Sequence, residues 1–255
     1  MPSTRVQFTN ARGFKLSGII EQSAESPTSN FAIFAHCFTC TKDLKAIVRI
    51  SRNLSKQNIG VLRFDFTGLG NSAGEFSDTN FETNCDDILS AVKFLNEEHQ
   101  PPNLLIGHSL GGAAMIATAK KIASARAICT IASPSETFHL AEFLLKQNPR
   151  IETEGQGEVT IGGRTYLMKQ QLLDSLRRQP MEEHLANLTL PFLVFHSPTD
   201  KTLSYQHAIN MHQRSQGPTS IVTLDNSDHL LVNRSDDVEY VADLITSWSK
   251  RYLAE

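Results

Sequence analysis

Ser109 lies in the sequence Leu104-Leu-Ile-Gly-His-Ser-Leu-Gly-Gly, where an apolar run passes into a segment of small residues. A G-x-S-x-G motif in this context lets the backbone turn sharply from a strand into a helix and projects the serine hydroxyl outward. The start of the helix also favours negative charge nearby. Average glycine and serine usage produces the motif by chance in about one chain in ten of this length. The motif predicts that Ser109 is a nucleophile.

A carboxylate and an imidazole follow this serine along the chain. Asp200 stands on a loop after the apolar run Pro191-Phe-Leu-Val-Phe, and His229 stands in Leu224-Asp-Asn-Ser-Asp-His-Leu-Leu, beyond the last predicted strand. In open α/β sheets, the loops at the carboxyl ends of the strands converge on one crevice. The order serine, acid, histidine is typical of one class of catalytic triad. If Asp200 were only a helix-capping turn residue, Glu136 would be the reserve acid.

Such a triad would carry out acyl transfer. Because a serine hydroxyl is a poor nucleophile at neutral pH, His229 would take its proton as the carbonyl is attacked. Asp200 would fix the tautomer of the imidazole and stabilise the imidazolium. The oxyanion of the tetrahedral intermediate needs backbone N–H donors, and the amides of Phe38 and Leu110 are the predicted pair.

Several side chains are predicted to bind the substrate. Phe38 follows an apolar strand and would form one wall of an acyl pocket, and His108 directly precedes the nucleophile. Phe138, Phe143 and Leu144 come from an amphipathic segment that would cover the sheet. His36 and His196 are predicted to be structural or to line the site. His207 and His212 are predicted to be exposed on a helix.

The four cysteines are predicted to be reduced, because they are too few and too scattered for a disulfide framework in a chain of 255 residues. Cys37-Phe-Thr-Cys40 nevertheless matches C-x-x-C, which is found in redox pairs and in half of some metal sites. A structural zinc would need a second ligand pair of similar spacing, and Cys85 and Cys129 stand alone. We therefore predict no metal and no cofactor, and an oxidation-sensitive thiol stays open as an alternative.

The surrounding pattern predicts an α/β fold. Short apolar runs alternate with segments of helical period, as in a mostly parallel sheet covered by helices on both faces. An antiparallel hairpin would form one edge, and its strands are predicted at 5–9 and 14–21. The central strands are predicted at 31–35, 61–66, 104–106, 127–131, 192–195 and 220–224. The helices are predicted at 44–57, 86–98, 113–124, 205–214 and 237–252.

The alternation fails between residues 134 and 190. Amphipathic patterns at 138–145 and 167–176 flank a hairpin of residues 158–161 and 164–167. Gly162 and the glycine after it would join the two strands, since paired glycines supply the positive φ values of a two-residue turn. We predict a core of residues 1–134 and 191–255, with a cap insertion at 135–190.

The composition is that of an ordinary globular domain, with 40% hydrophobic and 20% charged residues in 28.3 kDa. A net charge of -3 provides no field that would attract nucleic acid or an anionic membrane. No apolar stretch approaches the ~18 residues of a transmembrane helix, and the N-terminal sequence lacks the regions of a secretory signal. We expect a cytoplasmic protein that acts on a small-molecule acyl substrate and binds neither nucleic acid nor a membrane.

These segments resemble the α/β-hydrolase superfamily over nearly the whole chain, which implies an α/β-hydrolase fold with an eight-stranded, mostly parallel sheet. Three sequences look like the hydrolase half of bacterial hydrolase/OsmC fusion proteins: Ala35-His-Cys-Phe-Thr-Cys-Thr-Lys-Asp, Leu62-Arg-Phe-Asp-Phe-Thr-Gly-Leu-Gly-Asn-Ser and Gly107-His-Ser-Leu-Gly-Gly. The resemblance gives a supporting role to the residues of the second sequence: Arg63, Asp65, Gly68, Gly70 and Ser72.

Two departures limit what the resemblance implies. The OsmC-like domain of the fusions is not in this sequence, so peroxidase activity is not implied and an OsmC-like partner is suggested only by analogy. Cys37 also stands where many members of the superfamily have glycine. The extra side chain there changes the expected shape of the acyl pocket beside the oxyanion loop.

The leading hypothesis is a serine hydrolase that cleaves carboxylic esters of small or medium acyl substrates through an acyl-enzyme intermediate. The same triad supports thioesterase, amidase, aminopeptidase and perhydrolase chemistry, because these reactions share acyl transfer and the pocket sets specificity. A dehalogenase is disfavoured, since it needs a carboxylate nucleophile where Ser109 stands. An alternative from another class is a catalytically silent binding or thiol-sensing domain that uses Cys37 and Cys40.

Overall fold

The computed structural model of the chain describes residues 3–23, 28 and 30–253. Its strands are β1 (Ser3–Thr9), β2 (Lys15–Glu21), β3 (Asn30–Ala35), β4 (Ile59–Phe64), β5 (Pro102–His108), β6 (Ala127–Ile131), β7 (Gln156–Ile161), β8 (Arg164–Lys169), β9 (Phe192–His196) and β10 (Thr219–Thr223). Its α-helices are α1 (Lys45–Lys56), α2 (Phe81–Glu98), α3 (Leu110–Ala119), α4 (Phe138–Gln147), α5 (Arg150–Thr153), α6 (Gln170–Arg178), α7 (Met181–Ala186), α8 (Gln206–Arg214) and α9 (Ser235–Leu253).

Eight strands form one sheet in the order β1-β2-β4-β3-β5-β6-β9-β10. β2 pairs antiparallel with both of its neighbours, and every other pairing in this sheet is parallel. From β3 the chain passes to β4 on one side and then to β5 on the other, so the strand order reverses there. Ligands of open α/β sheets bind at such a reversal, beyond the carboxyl ends of the strands. The topology therefore points to the loops that follow β3 and β5.

Helices cover both faces of the sheet, as predicted. α1 and α9 contribute Ile47 and Ile245 to the core on one face, and α2 and α3 contribute Ile88 and Met115 to the core on the other. Every residue of β4, β6 and β9 is buried, which is typical of parallel strands packed on both sides. Within the described ranges, no helix combines the length and the apolar character needed to cross a bilayer. The prediction of a mostly parallel α/β sheet is confirmed.

Three helices differ from the prediction. α3, predicted at 113–124, spans Leu110–Ala119 because it begins directly after the turn at Ser109, and the other two differ for local reasons. α2 begins at Phe81 rather than at residue 86, because Asn80 and Thr83 form a reciprocal cap in which each side chain accepts a hydrogen bond of 2.9 Å from the other's backbone N–H. The amphipathic pattern at 167–176 is helical only from Gln170 onward. Leu167 pairs with Glu158 in the hairpin, so residues 167–169 belong to β8 and α6 follows them.

Residues 135–190, which we call the cap segment, lie between β6 and β9 and contain α4 to α7 and the separate two-stranded sheet of β7 and β8. The predicted hairpin is present, and Gly162 and Gly163 have φ values of 57° and 79° in its turn. The hairpin strand β8 contacts the short 3-10 helix at Phe76–Asp78. α6 packs on α2, and α7 packs on α3 and α8. The cap segment is therefore held against the sheet layer at several points.

Candidate active site

Ser109 lies at the turn between β5 and α3, with φ of 51° and ψ of -125°. Positive φ is uncommon for a residue with a Cβ, and here it turns the side chain out of the strand-to-helix corner. The corner is too tight for other side chains, since a Cβ on Gly107 would lie 2.4 Å from Cα of Gly112 and one on Gly111 would lie 2.4 Å from the carbonyl oxygen of His36. The two motif glycines are thus required by close approach of the backbone.

The structure brings the three predicted triad residues together. His229 Nε2 lies 2.9 Å from Ser109 Oγ, and His229 Nδ1 lies 2.8 Å from Asp200 Oδ2. Asp200 follows β9 and His229 follows β10, so the loops at three carboxyl ends of strands meet at one place. The side chains of His229 and Asp200 are 13% and 1% exposed, so this contact is largely shielded from water.

Asp200 is held as a carboxylate. Burial alone would raise its pKa, but the hydrogen bond from His229 and those from the backbone amides of Thr202 and Leu203 outweigh burial, and the pKa lies below its usual range. The two amides donate to Oδ1 at 2.7 and 3.1 Å, which leaves Oδ2 for the imidazole. A negative charge fixed in this way orients His229 with its Nε2 toward the serine.

Glu136, the reserve acid, has a different partner. Its carboxylate accepts hydrogen bonds from Nδ1 and from the backbone N–H of His139, at 2.9 and 3.1 Å. Burial would raise the pKa of Glu136, but these bonds from His139 lower it overall. Within the described part of the chain, Asp200 is the carboxylate bonded to His229.

Glu136 and His139 also belong to a cluster with His207. The potential ligand atoms of the three residues lie within 4.8 Å of one another, and they form the one group of three or more metal-capable side chains among the described residues. His207 was predicted to be exposed but is half-buried, because its Nδ1 accepts a hydrogen bond of 3.2 Å from the N–H of Ser135. Burial and the neighbouring His139 lower the pKa of His207 to about 4. A neutral imidazole and an ionised carboxylate are suitable ligands for a divalent cation.

The two predicted oxyanion donors are the backbone amides of Phe38 and Leu110. Leu110 provides the first amide of α3, where N–H groups have no partner within the helix. Phe38 lies on the loop after β3, and both residues line the same cleft as Ser109. Neither N–H donates to another group within the described residues. Both amides are therefore available to a ligand in the cleft.

The prediction that all cysteines are reduced was wrong for one pair. Cys37 and Cys40 form a disulfide, with their Cα atoms 5.3 Å apart. The Cys40 N–H donates to the carbonyl of Cys37 at 3.2 Å, and this tight turn brings the two side chains together. Cys85 and Cys129 are free thiols. The disulfide closes the loop that carries the Phe38 amide.

A cleft of about 830 Å³ opens over Ser109 and His229. Phe38 and Phe143 line it, as predicted. The cap segment also contributes residues that the sequence did not single out, namely His139, Leu140, Ile161, Arg164 and Tyr166. Alternate residues of a strand lie on the same face, so Arg164 and Tyr166 share one face of β8. The predicted hairpin therefore indicated that these two residues could line the same wall of a cleft. Lys201 is a further new lining residue, next to Asp200 in the chain.

Three residues predicted to bind substrate do not line this cleft. Leu144 is fully buried in the core, because it lies on the inner face of α4. Phe138 is 53% exposed at the start of the same helix, outside the cleft lining. His108 is buried under the site, where its Nε2 donates a hydrogen bond of 2.7 Å to the carbonyl oxygen of His229. His108 therefore supports the histidine loop from beneath.

His108 is expected to make the protein sensitive to acid. Burial and the neighbouring His229 lower the pKa of His108 to about 3, against an ordinary value of 6.5 that applies to the unfolded chain. The unfolded chain therefore binds this proton more tightly. The stability contributed by neutral His108 is complete above pH 6.5 and is lost as pH falls from 6.5 toward about 3.

We predict that His108→Gln flattens the acid side of the pH–stability curve. Between pH 6 and 4, the free energy of unfolding of the wild type should fall faster than that of the variant by up to ~1.4 kcal/mol per pH unit. Urea unfolding at a series of pH values measures the difference. His212→Gln changes an exposed histidine of α8 and should keep the wild-type slope. Equal slopes for wild type and His108→Gln would contradict the prediction.

A buried ionic network supports the chain that follows the disulfide, through Lys42. Asp65 accepts hydrogen bonds from the backbone N–H and Nζ of Lys42, both at 2.7 Å, and from the N–H of Asn71 at 2.9 Å. Arg63 donates to Glu21 at 2.9 Å, and its other terminal nitrogen donates to the Lys42 carbonyl. The loop between Cys40 and α1 is thus tied to the end of β4. Sequence reasoning gave Arg63 and Asp65 a supporting role but missed Lys42.

The alpha/beta hydrolase family model matches residues 32–244. The esterase domain of a Rhodothermus marinus protein has 38% sequence identity to this chain, covers 100% of both chains and superposes with a TM-score of 0.80. Est1E from Butyrivibrio proteoclasticus, solved with ferulic acid bound, has 20% identity over 98% of this chain and 100% of its own, with a TM-score of 0.86. The mitochondrial palmitoyl-protein thioesterase ABHD10 of mouse is 24% identical over 69% of this chain and 60% of its own length. The chain belongs to the alpha/beta hydrolase family.

Proposed function

We propose that this hydrolase is a serine esterase that cleaves carboxylic esters of small or medium acyl substrates through an acyl-enzyme intermediate. The observation that carries the proposal is the continuous pair of hydrogen bonds from Ser109 through His229 to Asp200, at 2.9 and 2.8 Å. A nucleophile bonded to a base, with the base oriented by a third group, is the arrangement that activates serine. The likeness to the Rhodothermus marinus esterase domain supports the choice of esters.

In the proposed mechanism, His229 takes the proton of the Ser109 hydroxyl as Oγ attacks the ester carbonyl. The N–H groups of Phe38 and Leu110 donate to the oxyanion of the tetrahedral intermediate. The imidazolium then gives its proton to the departing alcohol, which leaves an ester between the acyl group and Ser109. A water molecule then attacks the acyl carbonyl while His229 takes its proton. The bond to Ser109 Oγ breaks, the imidazolium returns the proton to Oγ, and the carboxylic acid departs.

The cleft supports an acyl group of modest size. Its volume of about 830 Å³ is within the range of small-molecule pockets. Phe38 and Phe143, together with Leu140 of α4, offer apolar contact on the side of the cap segment. We propose that residues 135–190 act as a cap over a core of residues 1–134 and 191–255.

Two further expectations, a cytoplasmic location and an OsmC-like partner, stay predictions from the sequence.

A fluorophosphonate probe tests the proposal directly. The wild type should form a covalent adduct at Ser109, and Ser109→Ala should not label, because the probe reacts only with an activated serine. Ser204→Ala removes an exposed serine before α8 and should label like the wild type. Intact-protein mass spectrometry gives the extent of labelling and peptide mapping gives the site. A wild-type protein that stays unlabelled would instead favour the catalytically silent domain.

The thioesterase alternative is favoured by one observation, which is the 24% identity to ABHD10 of mouse. Amidase and aminopeptidase chemistry would use the same three residues. We propose the ester as the preferred substrate, since the relative of higher identity, at 38%, is an esterase domain. A matched series of esters, thioesters and anilides of one acyl group separates these reactions by kcat/KM. A thioester preferred tenfold or more over its ester would overturn the assignment.

A further inference from the structure

We propose that Cys37 and Cys40 form a redox-active site in the acyl cleft, which takes a thiol or dithiol reductant and controls the activity of Ser109. The proposal rests on the proposed function, because it concerns the loop that carries one oxyanion donor. The disulfide and its place in the cleft are the observations behind it.

The disulfide lies in the cleft, where a reductant can reach it. Both of its residues line the cleft, and Cys40 is half-buried whereas Cys37 is buried. Cys129 lies in the core, where burial raises the pKa of its thiol. Burial also raises the pKa of Cys85 to about 12, so that thiol stays protonated at neutral pH. Of the described cysteines, Cys37 and Cys40 are the pair that lines the cleft, and Cys40 is the more exposed of the two.

The disulfide also constrains the proposed oxyanion donor. Only Phe38 and Thr39 lie between the bonded cysteines. Thr39 has φ of 59°, a left-handed conformation that residues with a Cβ rarely adopt without external constraint. Four hydrogen bonds still hold the turn when the sulfur–sulfur bond is absent. The Cys37 carbonyl accepts from the Cys40 N–H at 3.2 Å and from His36 Nδ1 at 2.8 Å. The Phe38 carbonyl accepts from the Thr39 hydroxyl at 2.7 Å, and the Thr39 carbonyl accepts from the Tyr166 hydroxyl at 3.2 Å. Reduction therefore removes the covalent constraint on the Phe38 amide.

The redox step is a two-electron thiol–disulfide exchange. A thiolate of the reductant attacks Sγ of Cys40 and breaks the bond to Cys37, whose thiolate leaves and takes up a proton. The second thiol of a dithiol then attacks the mixed disulfide, which releases Cys40 as a thiol and leaves the reductant as a disulfide. The reverse exchange with an oxidised dithiol restores the Cys37–Cys40 bond.

We expect reduction to lower kcat more than it changes KM. Loss of a whole oxyanion donor lowers kcat by about 10²–10³-fold, so a loosened donor should lower it by about tenfold. Leu140 and Phe143 of α4 lie outside the disulfide loop and keep their apolar contact with the acyl group, so KM should change less than kcat although Phe38 lies within the loop. Reoxidation should restore the original kcat.

The experiment compares oxidised and dithiothreitol-reduced wild-type protein with 4-nitrophenyl butyrate, with alkylation and mass spectrometry to count free thiols. Cys37→Ser/Cys40→Ser should have the kcat of the reduced wild type and should not respond to dithiothreitol. Cys85→Ser removes a thiol of α2 and should respond like the wild type. Equal kcat in the two redox states, or a response that persists in the double variant, would overturn the inference.

The same fluorophosphonate probe separates this inference from the proposed function. Labelling that is slower by about tenfold in the reduced protein supports both. Labelling at the same rate in the two redox states overturns the redox proposal and leaves the esterase proposal intact. A protein that does not label in either state overturns the proposed function itself.

Discussion

His229→Ala is expected to lower kcat for ester hydrolysis by about 10⁴-fold or more, with KM changed little. The imidazole is the group within 2.9 Å of Ser109 Oγ that can take its proton, and an alanine leaves the hydroxyl without a base. The cleft walls and the two proposed oxyanion amides are unchanged by this substitution, so binding of the ester should survive. Steady-state kinetics with 4-nitrophenyl butyrate measure both constants, and circular dichroism checks that the variant is folded.

Asp200→Asn should lower kcat by a similar order, about 10⁴-fold, because an amide at this position stabilises the wrong tautomer of the imidazole. If the triad acts as a unit, Asp200→Asn/His229→Ala should be no slower than His229→Ala alone. Glu136→Gln and His212→Ala are matched controls for the acid and the base, and we expect both to keep most of the wild-type kcat. Loss of activity in Glu136→Gln, with full activity in Asp200→Asn, would move the role of the acid to Glu136.

The location of these residues could be predicted from sequence because it depends on topology. In a parallel sheet, a residue directly after a strand must lie at the carboxyl edge, and the strand order then brings the loops of β5, β9 and β10 into one crevice. The motif around Ser109 gave a second, local indication, since the tight corner between strand and helix accommodates only glycine at Gly107 and Gly111. The hairpin of the cap segment was predictable for the same kind of reason, because paired glycines specify a turn.

The walls of the cleft could not be predicted in the same way. The apolar residues of α4 are spread over most of the circumference of the helix, so its sequence does not show which side faces the cleft. Phe143 lines the cleft, whereas the adjacent Leu144 is buried in the core. The disulfide was missed because the number and spacing of all four cysteines were used to judge whether the chain has a network of disulfides. A single disulfide needs only a turn that brings Cys37 and Cys40 together. His108 was misassigned because a residue next to a nucleophile points to the opposite side of the strand end.

Asp65→Ala is expected to lower the free energy of unfolding by up to about 3–5 kcal/mol, because it removes the buried partner of the Lys42 ammonium. The ammonium keeps only the exposed Asp43 carboxylate at 3.3 Å and the Asn71 side chain at 3.1 Å. The side chains of Lys42 and Asp65 are 4% and 0% exposed, and the carboxylate also accepts from two backbone amides. Urea unfolding followed by fluorescence gives the change. Lys93→Ala, which breaks an exposed pair with Glu97, should change stability by no more than about 0.5 kcal/mol.

A double variant separates the contribution of the Lys42–Asp65 charge pair from that of the backbone hydrogen bonds to Asp65. Lys42→Met/Asp65→Leu removes both charges, so it should be more stable than Asp65→Ala, since no buried ammonium is left without its buried carboxylate. It should not regain full stability, because the N–H groups of Lys42 and Asn71 still lose their acceptor. A double variant as unstable as Asp65→Ala would mean that these backbone bonds, and not the charge pair, dominate. Lys42 lies two residues after the disulfide loop, and its N–H is held by Asp65. The kcat values of Asp65→Ala and of the double variant therefore measure how strongly this ionic network positions the proposed Phe38 donor.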